Sequence, residues 1–355
     1  MKIAMMSGAY VNSGDFLIEQ RSKALLEAIL NADVDILKRD LLYDSQIEDL
    51  NRYDEIVFAG GPIYQPNIYP ERIPFVEDLS RIEAPIRILG GGWKGHNDSI
   101  REVYKRYTYG KKMLSFLQKV SNQYSLGCRD WQTVRNLQHN GIKNVVMTGC
   151  PAWYDVNKVN TLVLKDKYNE LSINDPITIG VSDPALACNK LYFYELIHIL
   201  QRNFKNVKIK IFYHRGISSE DLRIAKELCS VNAVISYIDM SGSNEGFEEY
   251  NQCFMHIGFR VHAHIYNLSQ GNVSILINED ARGIGVNHAL GLENINCLLD
   301  NARILKRKLH KQEFEMIIMD YLKYIEQSKY AQYNRALISI KATFNVMESF
   351  IYKMR

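Results

Sequence analysis

Met255 to Ser269, MHIGFRVHAHIYNLS, is the stretch on which the reading of the chain turns. It opens as a short apolar strand ending at Gly258, then passes through Phe259-Arg260-Val261-His262-Ala263-His264 into a helical run. A glycine at the carboxyl end of a strand lets the backbone come close to a ligand. The helix start that follows offers unpaired N–H groups and the positive end of a dipole. Arg260 adds a planar fork matched to phosphate or carboxylate, and His262 a group that titrates near neutral pH. The same residues admit a second reading. Arg260 then makes a structural ion pair, and His262 and His264 are satisfied core histidines.

Outward from this stretch the same grammar recurs. Lys2–Ser7 reads as a buried strand and Phe16–Leu30 as an amphipathic helix, joined by GAYVNSGD with Asp15 as the expected helix N-cap. That turn is neither GxGxxG nor a Walker loop, so no dinucleotide or nucleoside triphosphate is implied. Strand-like runs follow at Val34–Leu37, Glu55–Ala59, Arg87–Leu89, Tyr124–Leu126 and Asn144–Met147, with helical stretches between most of them. A second set begins at Ile177–Val181 and continues through Lys208–Phe212, Ala233–Tyr237, Cys253–Ile257, Val273–Ile277 and Ile295–Leu298. Such alternation predicts parallel βα units. The expected division is an N-terminal α/β domain over 1–155, a linker over 156–176 and a C-terminal α/β domain over 177–328. A C-terminal helix over 329–355 is expected to pack back on the first domain. In that tail, apolar residues fall at 330, 333, 337, 340, 344, 347, 351 and 354, one sticky seam along about seven turns.

In open α/β sheets ligands sit beyond the carboxyl ends of the strands. Glycines gather there at Gly60-Gly61, Gly90-Gly91-Gly92 and Gly149, which suits either backbone kept low under a ligand or plain turn geometry. Arg129 and Asp130 stand just past one strand, the arginine a candidate for the cleft and the aspartate a helix cap. His214 and Arg215 follow another strand and so lie on a ligand-facing rim.

Bulk properties narrow the class. At 355 residues the chain exceeds what one core usually manages, and 46% hydrophobic with 23% charged residues is ordinary for a globular protein. Six scattered cysteines, with no CxxC pair, suit reduced thiols and argue against structural zinc. No run approaches a bilayer span and Met1-Lys2-Ile3 enters a strand at once, so a cytoplasmic location is expected. Residues 301–355 carry eleven Lys/Arg against five Asp/Glu, net +6, leaving −3 for the rest. A basic end of this kind favours either an anionic membrane surface, hence peripheral association with its inner face, or a solvated helix face.

GxRxHA at Gly258, Arg260, His262 and Ala263 does not stand alone. Upstream lie Gly8, Asn12, Gly14 and Asp15, then Arg129, Asp130, Thr133, Leu137, Gly141, Gly149, Pro151 and Ala152. In order and spacing these residues resemble the polysaccharide pyruvyl transferase family, from about residue 3 to about residue 292. The resemblance implies two doubly wound parallel-sheet domains facing a cleft, the GT-B-like architecture, with a long C-terminal helix. It also implies transfer of pyruvate from phosphoenolpyruvate onto a sugar or lipid-linked oligosaccharide as a cyclic ketal, in bacterial-type surface polysaccharide (capsule or exopolysaccharide) biosynthesis. No cofactor, metal or nucleic acid is called for. On that resemblance His262 and Asp15 are the expected proton carriers. Gly258, Arg260, Arg129, His214 and Arg282 would bind the donor, and Asn12, Gly14 and Gly61 the acceptor. Which carrier is acid and which base stays open. Family members commonly carry a lysine after the strand that follows RxH, whereas here Arg282 is the nearest cation. The alternatives are a nucleotide-sugar glycosyltransferase on the same fold, with Glu279 or Asp280 on a ribose, and a non-catalytic glycan-binding subunit.

Overall fold

The computed structural model describes residues 1–39, 47–71, 81–95, 107–231, 234–301 and 305–354. Ala233, part of an expected strand, and Arg303 and Arg355 of the basic end lie outside them. Two compact units emerge. The first comprises Met1–Tyr10, Leu17–Asn160 and Ile340–Arg355, the second Val11–Phe16 and Thr161–Ser339.

The first unit's strands are β1 Lys2–Ser7, β2 Asp33–Lys38, β3 Glu55–Ala59, β4 Ile86–Leu89, β5 Leu126–Cys128 and β6 Val145–Met147. Four of them form a parallel sheet in the order β2-β1-β3-β4, and a bridge between Gly91 and Cys128 leads on to the parallel β5–β6 pair. β1 and β3 are apolar runs, as strands covered on both faces require: Ile3, Ala4, Met5, Ile56 and Val57 are fully buried. The helix α1 spans Ser13–Leu30, three residues earlier than the sequence suggests. Asp15 therefore sits in its first turn and is not its N-cap. Its own N–H donates to the Asn12 carbonyl at 3.0 Å. α2 (Lys111–Gln123) and α3 (Trp131–His139) follow, the latter capped by Asp130, whose Oδ1 accepts the Thr133 N–H at 2.7 Å.

The second unit is built on β7 Thr178–Ser182, β8 Lys208–Tyr213, β9 Ile235–Asp239, β10 Met255–Gly258, β11 Ser274–Asn278 and β12 Ile295–Asn296. All run parallel, in the order β12-β11-β10-β7-β8-β9. The chain winds outward from β7 one way through β8 and β9 and the other way through β10 to β12. The order thus reverses between β7 and β10, the place where an open α/β sheet leaves a crevice. Its helices are α4 Lys190–Asn203, α5 Ser219–Val231, α6 Val261–Ser269, α7 Ala281–Leu290 and α8 Lys311–Gln327.

α9 runs Ala331–Tyr352. Every residue of the expected tail seam is buried, from Tyr330 and Tyr333 to Ile351 and Met354. Phe344 packs on Tyr154 in the first unit, and Tyr330 on Tyr168 in the second. A seam filled by the chain's own side chains is not available to a self-associating coiled coil. Among the described residues no helix is long and apolar enough to cross a membrane.

Candidate active site

The crevice at the switch point is made by the carboxyl ends of β7 and β10. β7 ends at Ser182 and is followed by Asp183; β10 ends at Gly258 and is followed, two residues on, by Arg260. A Cβ on Gly258 would fall 2.4 Å from Ser182 Oγ, so the close approach served by this glycine is to the neighbouring strand. Arg260 is the N-cap residue of α6 and is buried. Its Nε donates to Asp183 Oδ1 at 2.7 Å, its Nη2 to Asp183 Oδ2, and Nη2 also reaches the Pro184 carbonyl at 3.2 Å. The structural ion pair is thus present, and it fixes the guanidinium at the head of α6, beside the crevice. Burial pushes the Asp183 carboxyl up, and the Arg260 charge and the His214 N–H offset this only in part.

His214, the first residue past β8, is fully buried. Its N–H donates to Asp183 Oδ1 at 3.1 Å, its Nδ1 lies 2.8 Å from Ser13 Oγ and its Nε2 lies 2.9 Å from the Tyr250 hydroxyl. Burial, reinforced by the Arg260 charge, holds its pKa well below the usual histidine value. It is a neutral anchor. The Ser13 N–H donates to the His214 carbonyl at 3.0 Å, and the Gly242 N–H to the Val11 carbonyl at 2.8 Å. These bonds tie the 11–16 segment into the second unit. Asn12, Gly14 and Asp15, expected on the N-terminal side, belong with Arg260 and His262 instead.

Gly14 shows how close that association is. A Cβ placed there would lie 2.0 Å from His262 Nδ1 and 2.8 Å from His262 Cβ. His262, in the first turn of α6, is half-buried, whereas His264 one turn further in is a core histidine. Asp15, half-buried in the first turn of α1, acts on Arg282. Burial tends to lower the Arg282 pKa, but Asp280 foremost, then Glu279 and Asp15, raise it on balance. Arg282 pairs with Asp280, Nη2 to Oδ2 at 2.7 Å, and Asp280 caps α7 through the Arg282 N–H. Both Glu279 oxygens are occupied: they accept the Ala185 and Leu186 N–H groups at 2.8 and 2.9 Å and Asn189 Nδ2 at 2.9 Å. That carboxylate shapes the loop after β7, with three of its acceptor sites in use.

Arg129 and Gly61 lie in the first unit. Arg129 is buried, with Nε donating to Asp130 Oδ2 at 3.1 Å and Nη2 to the Trp93 carbonyl at 3.3 Å. Gly61 has φ +66° and open space where a Cβ would be, so backbone conformation alone favours glycine there. The second unit therefore holds His262, Gly14, Asp15, Asn12, Arg260, His214 and Arg282, with Gly258 at the end of β10 against Ser182. Sequence reasoning passed over Ser13, Asp183 and Tyr250. For Asp183 a signal existed, since it follows a strand just as His214 does.

Similar solved structures share the architecture at low identity. MnaA from S. aureus, in a co-structure with UDP, is 11% identical with a TM-score of 0.57, covering 94% of this chain and 91% of that one. A UDP-GlcNAc 2-epimerase from Neisseria meningitidis, bound to UDP-GlcNAc, is 9% identical with a TM-score of 0.56 over 99% and 100%. HepE from Anabaena, in complex with UDP and glucose, is 11% identical with a TM-score of 0.52 over 99% and 100%. At this distance the likeness carries the fold, GT-B, and nothing finer. No curated protein matches the chain. The family model for polysaccharide pyruvyl transferase matches residues 12–280, from Asn12 ahead of α1 through the Arg260–His262 turn to Asp280. With most of the chain and nearly all of these site residues inside that match, the protein belongs to the polysaccharide pyruvyl transferase family.

Proposed function

We propose that the protein transfers the pyruvyl group of phosphoenolpyruvate to a sugar, free or lipid-linked, as a cyclic ketal, in surface polysaccharide biosynthesis. The observation that carries this reading is the family match over residues 12–280, which hold Asp15, Arg260 and His262 in the same unit as Arg282 just beyond it. The chemistry needs three things. An acid protonates the methylene carbon of the enol, leaving an oxocarbenium-like carbon beside the carboxylate. One sugar hydroxyl adds to that carbon and gives up its proton; the phosphate then leaves with its C–O bond, and a second hydroxyl closes the ring, losing its proton in turn. Fixed cations hold phosphate and carboxylate while charge shifts.

His262 and Asp15 are assigned the proton transfers, without fixing which gives and which takes. Arg260, oriented by Asp183, and Arg282, oriented by Asp280, are assigned the donor's anionic groups. Their carboxylate partners hold each guanidinium plane before substrate arrives, so less side-chain freedom is lost on binding. His214, buried and neutral, is assigned to positioning the 11–16 segment and not to direct donor contact.

Sugar transfer from a nucleotide sugar is the competing reading, and its proposed ribose contact is weakened by the three hydrogen bonds Glu279 already accepts. Thermal denaturation separates the two. Phosphoenolpyruvate at ~100 times its Kd should add about 2.7 kcal/mol of stability, with smaller shifts from nucleotide sugars. A clear shift with a uridine or guanosine diphosphate sugar and none with phosphoenolpyruvate would reverse the assignment.

A further inference from the structure

Three buried polar side chains near the site have no part in the chemistry above: His256, His264 and Ser274. His256 is on β10, Ser274 opens β11 and His264 lies on α6. Both imidazoles converge on one hydroxyl. Ser274 Oγ is 2.7 Å from His256 Nδ1 and 2.9 Å from His264 Nδ1. The other nitrogen of His256, Nε2, is 2.9 Å from Ser182 Oγ, and that oxygen accepts the Arg260 backbone N–H at 3.0 Å. At the far end stands Asn287 of α7. Its Nδ2 donates to the Glu293 carbonyl at 2.9 Å, which fixes the amide and leaves Oδ1 as the remaining acceptor. Asn287 Oδ1 and His264 Nε2 are both buried, and neither has a hydrogen-bond partner in the structure. Burial holds His264 neutral, down to about 3, against a pull toward protonation from the Asn287 side chain and the Ser274 backbone.

The two ends determine the direction of every bond between them. The Arg260 amide can only donate, and Asn287 Oδ1 can only accept. Donation must therefore run from Arg260 N–H to Ser182 Oγ, Ser182 O–H to His256 Nε2, His256 Nδ1–H to Ser274 Oγ, Ser274 O–H to His264 Nδ1, and His264 Nε2–H toward Asn287 Oδ1. Reversal would leave two acceptors facing each other at Asn287 and the Ser182 hydroxyl proton without an acceptor. Either fault is costly in a buried network.

We propose that Ser182, His256, Ser274 and His264 form a one-directional hydrogen-bond chain, pointed toward the orphan acceptor Asn287 Oδ1, that holds the Arg260 amide, and so the first turn of α6, making His256 and Ser274 positioning residues for the proton transfer assigned to His262. The kinetic part rests on the pyruvyl-transfer reading; the chain itself does not.

The direct test is nitrogen NMR on the unaltered protein with labelled histidine. His256 should carry its proton on Nδ1 and His264 on Nε2, both neutral between about pH 6 and 8. The opposite tautomer in either ring, or a charged ring in that range, overturns the chain. Ser274→Ala removes the hub, and hydrogen exchange at the Arg260 amide should quicken. In the phosphate-release assay with phosphoenolpyruvate and a sugar acceptor, kcat should fall about tenfold while the KM for phosphoenolpyruvate stays within about twofold. A folded Ser274→Ala with unchanged Arg260 exchange and unchanged kcat overturns the positioning role. Should the unaltered protein release no phosphate at all, the reaction assignment fails, while the tautomers and the exchange rate still decide the chain.

Discussion

Arg260 and Asp183 form a buried two-armed ion pair, Nε to Oδ1 at 2.7 Å and Nη2 to Oδ2, across the point where the strand order of the second sheet reverses. Asp183 Oδ1 also accepts the His214 N–H, so one carboxylate ties the rims of β8 and β10 together. Removing one partner of such a pair leaves an uncompensated charge in the interior. Asp183→Ala should therefore cost about 3–5 kcal/mol, read as a shift in the denaturant midpoint. A loss under about 1 kcal/mol would mean that the pair behaves as if solvated and does not hold the crevice.

Gly14→Ala tests the contact with His262. Gly14 lies inside α1, where alanine is the better helix former by roughly 1 kcal/mol, so the helix itself should not suffer. The added methyl instead meets the His262 ring and its Cβ, and the imidazole must move. A displacement near 1 Å can cost about a hundredfold in rate. Turnover should collapse, with a loss of stability of about 1–3 kcal/mol from the overpacking. Full activity in the alanine variant would remove His262 from the reaction.

Acid should weaken the fold through its buried histidines. Burial lowers the pKa of His214 and His256 well below the ordinary value and brings His264 to about 3. Below about pH 6.5 the unfolded chain takes up protons that these folded rings refuse. Stability is thus present above that pH and is lost as pH falls toward the folded values, by about 1.4 kcal/mol per pH unit for each ring. Asp183 and Glu279, whose carboxyls burial raises, act in the opposite sense at lower pH. Urea midpoints at about pH 7.5 and about pH 5.5 give the average slope, and His264→Gln should flatten it by roughly half a proton, since the unfolded histidine is half-protonated at about pH 6.5. An identical slope in the variant would show that His264 titrates alike in both states.

The tail offers a check of packing. Leu337 and Ile340 are buried on the α9 seam. Aspartate at both positions should destabilise the fold by several kcal/mol, since unpaired charge is forced into apolar surroundings. Unchanged melting with lost binding to anionic vesicles would instead make the helix a membrane-facing element.

Strand positions were legible because their residues are apolar runs bounded by turn signals. β1, β3 and β10 end where the sequence says, and the eight-residue seam of the tail is buried throughout. The start of α1 was not legible. Asn12, Ser13 and Asp15 are all good capping residues, and what separates them is the bond from Ser13 to His214, 201 residues away. Pairing at that distance leaves no local pattern. The same holds for Arg260, where sequence leaves ion pair and anion clamp equally open until Asp183, 77 residues upstream, is seen beside it. Assigning Asn12, Gly14 and Asp15 to the N-terminal domain followed chain order, and chain order is not spatial grouping.

The central claim is a reaction, and its most direct measurement is inorganic phosphate released from phosphoenolpyruvate by the purified protein, with and without a panel of sugar and lipid-linked sugar acceptors. Release that depends on acceptor, accompanied by a product heavier by one ketal-linked pyruvate and abolished in His262→Asn, is the predicted result. Acceptor glycosylated from a nucleotide sugar, with no phosphate released from phosphoenolpyruvate under any acceptor, would contradict it.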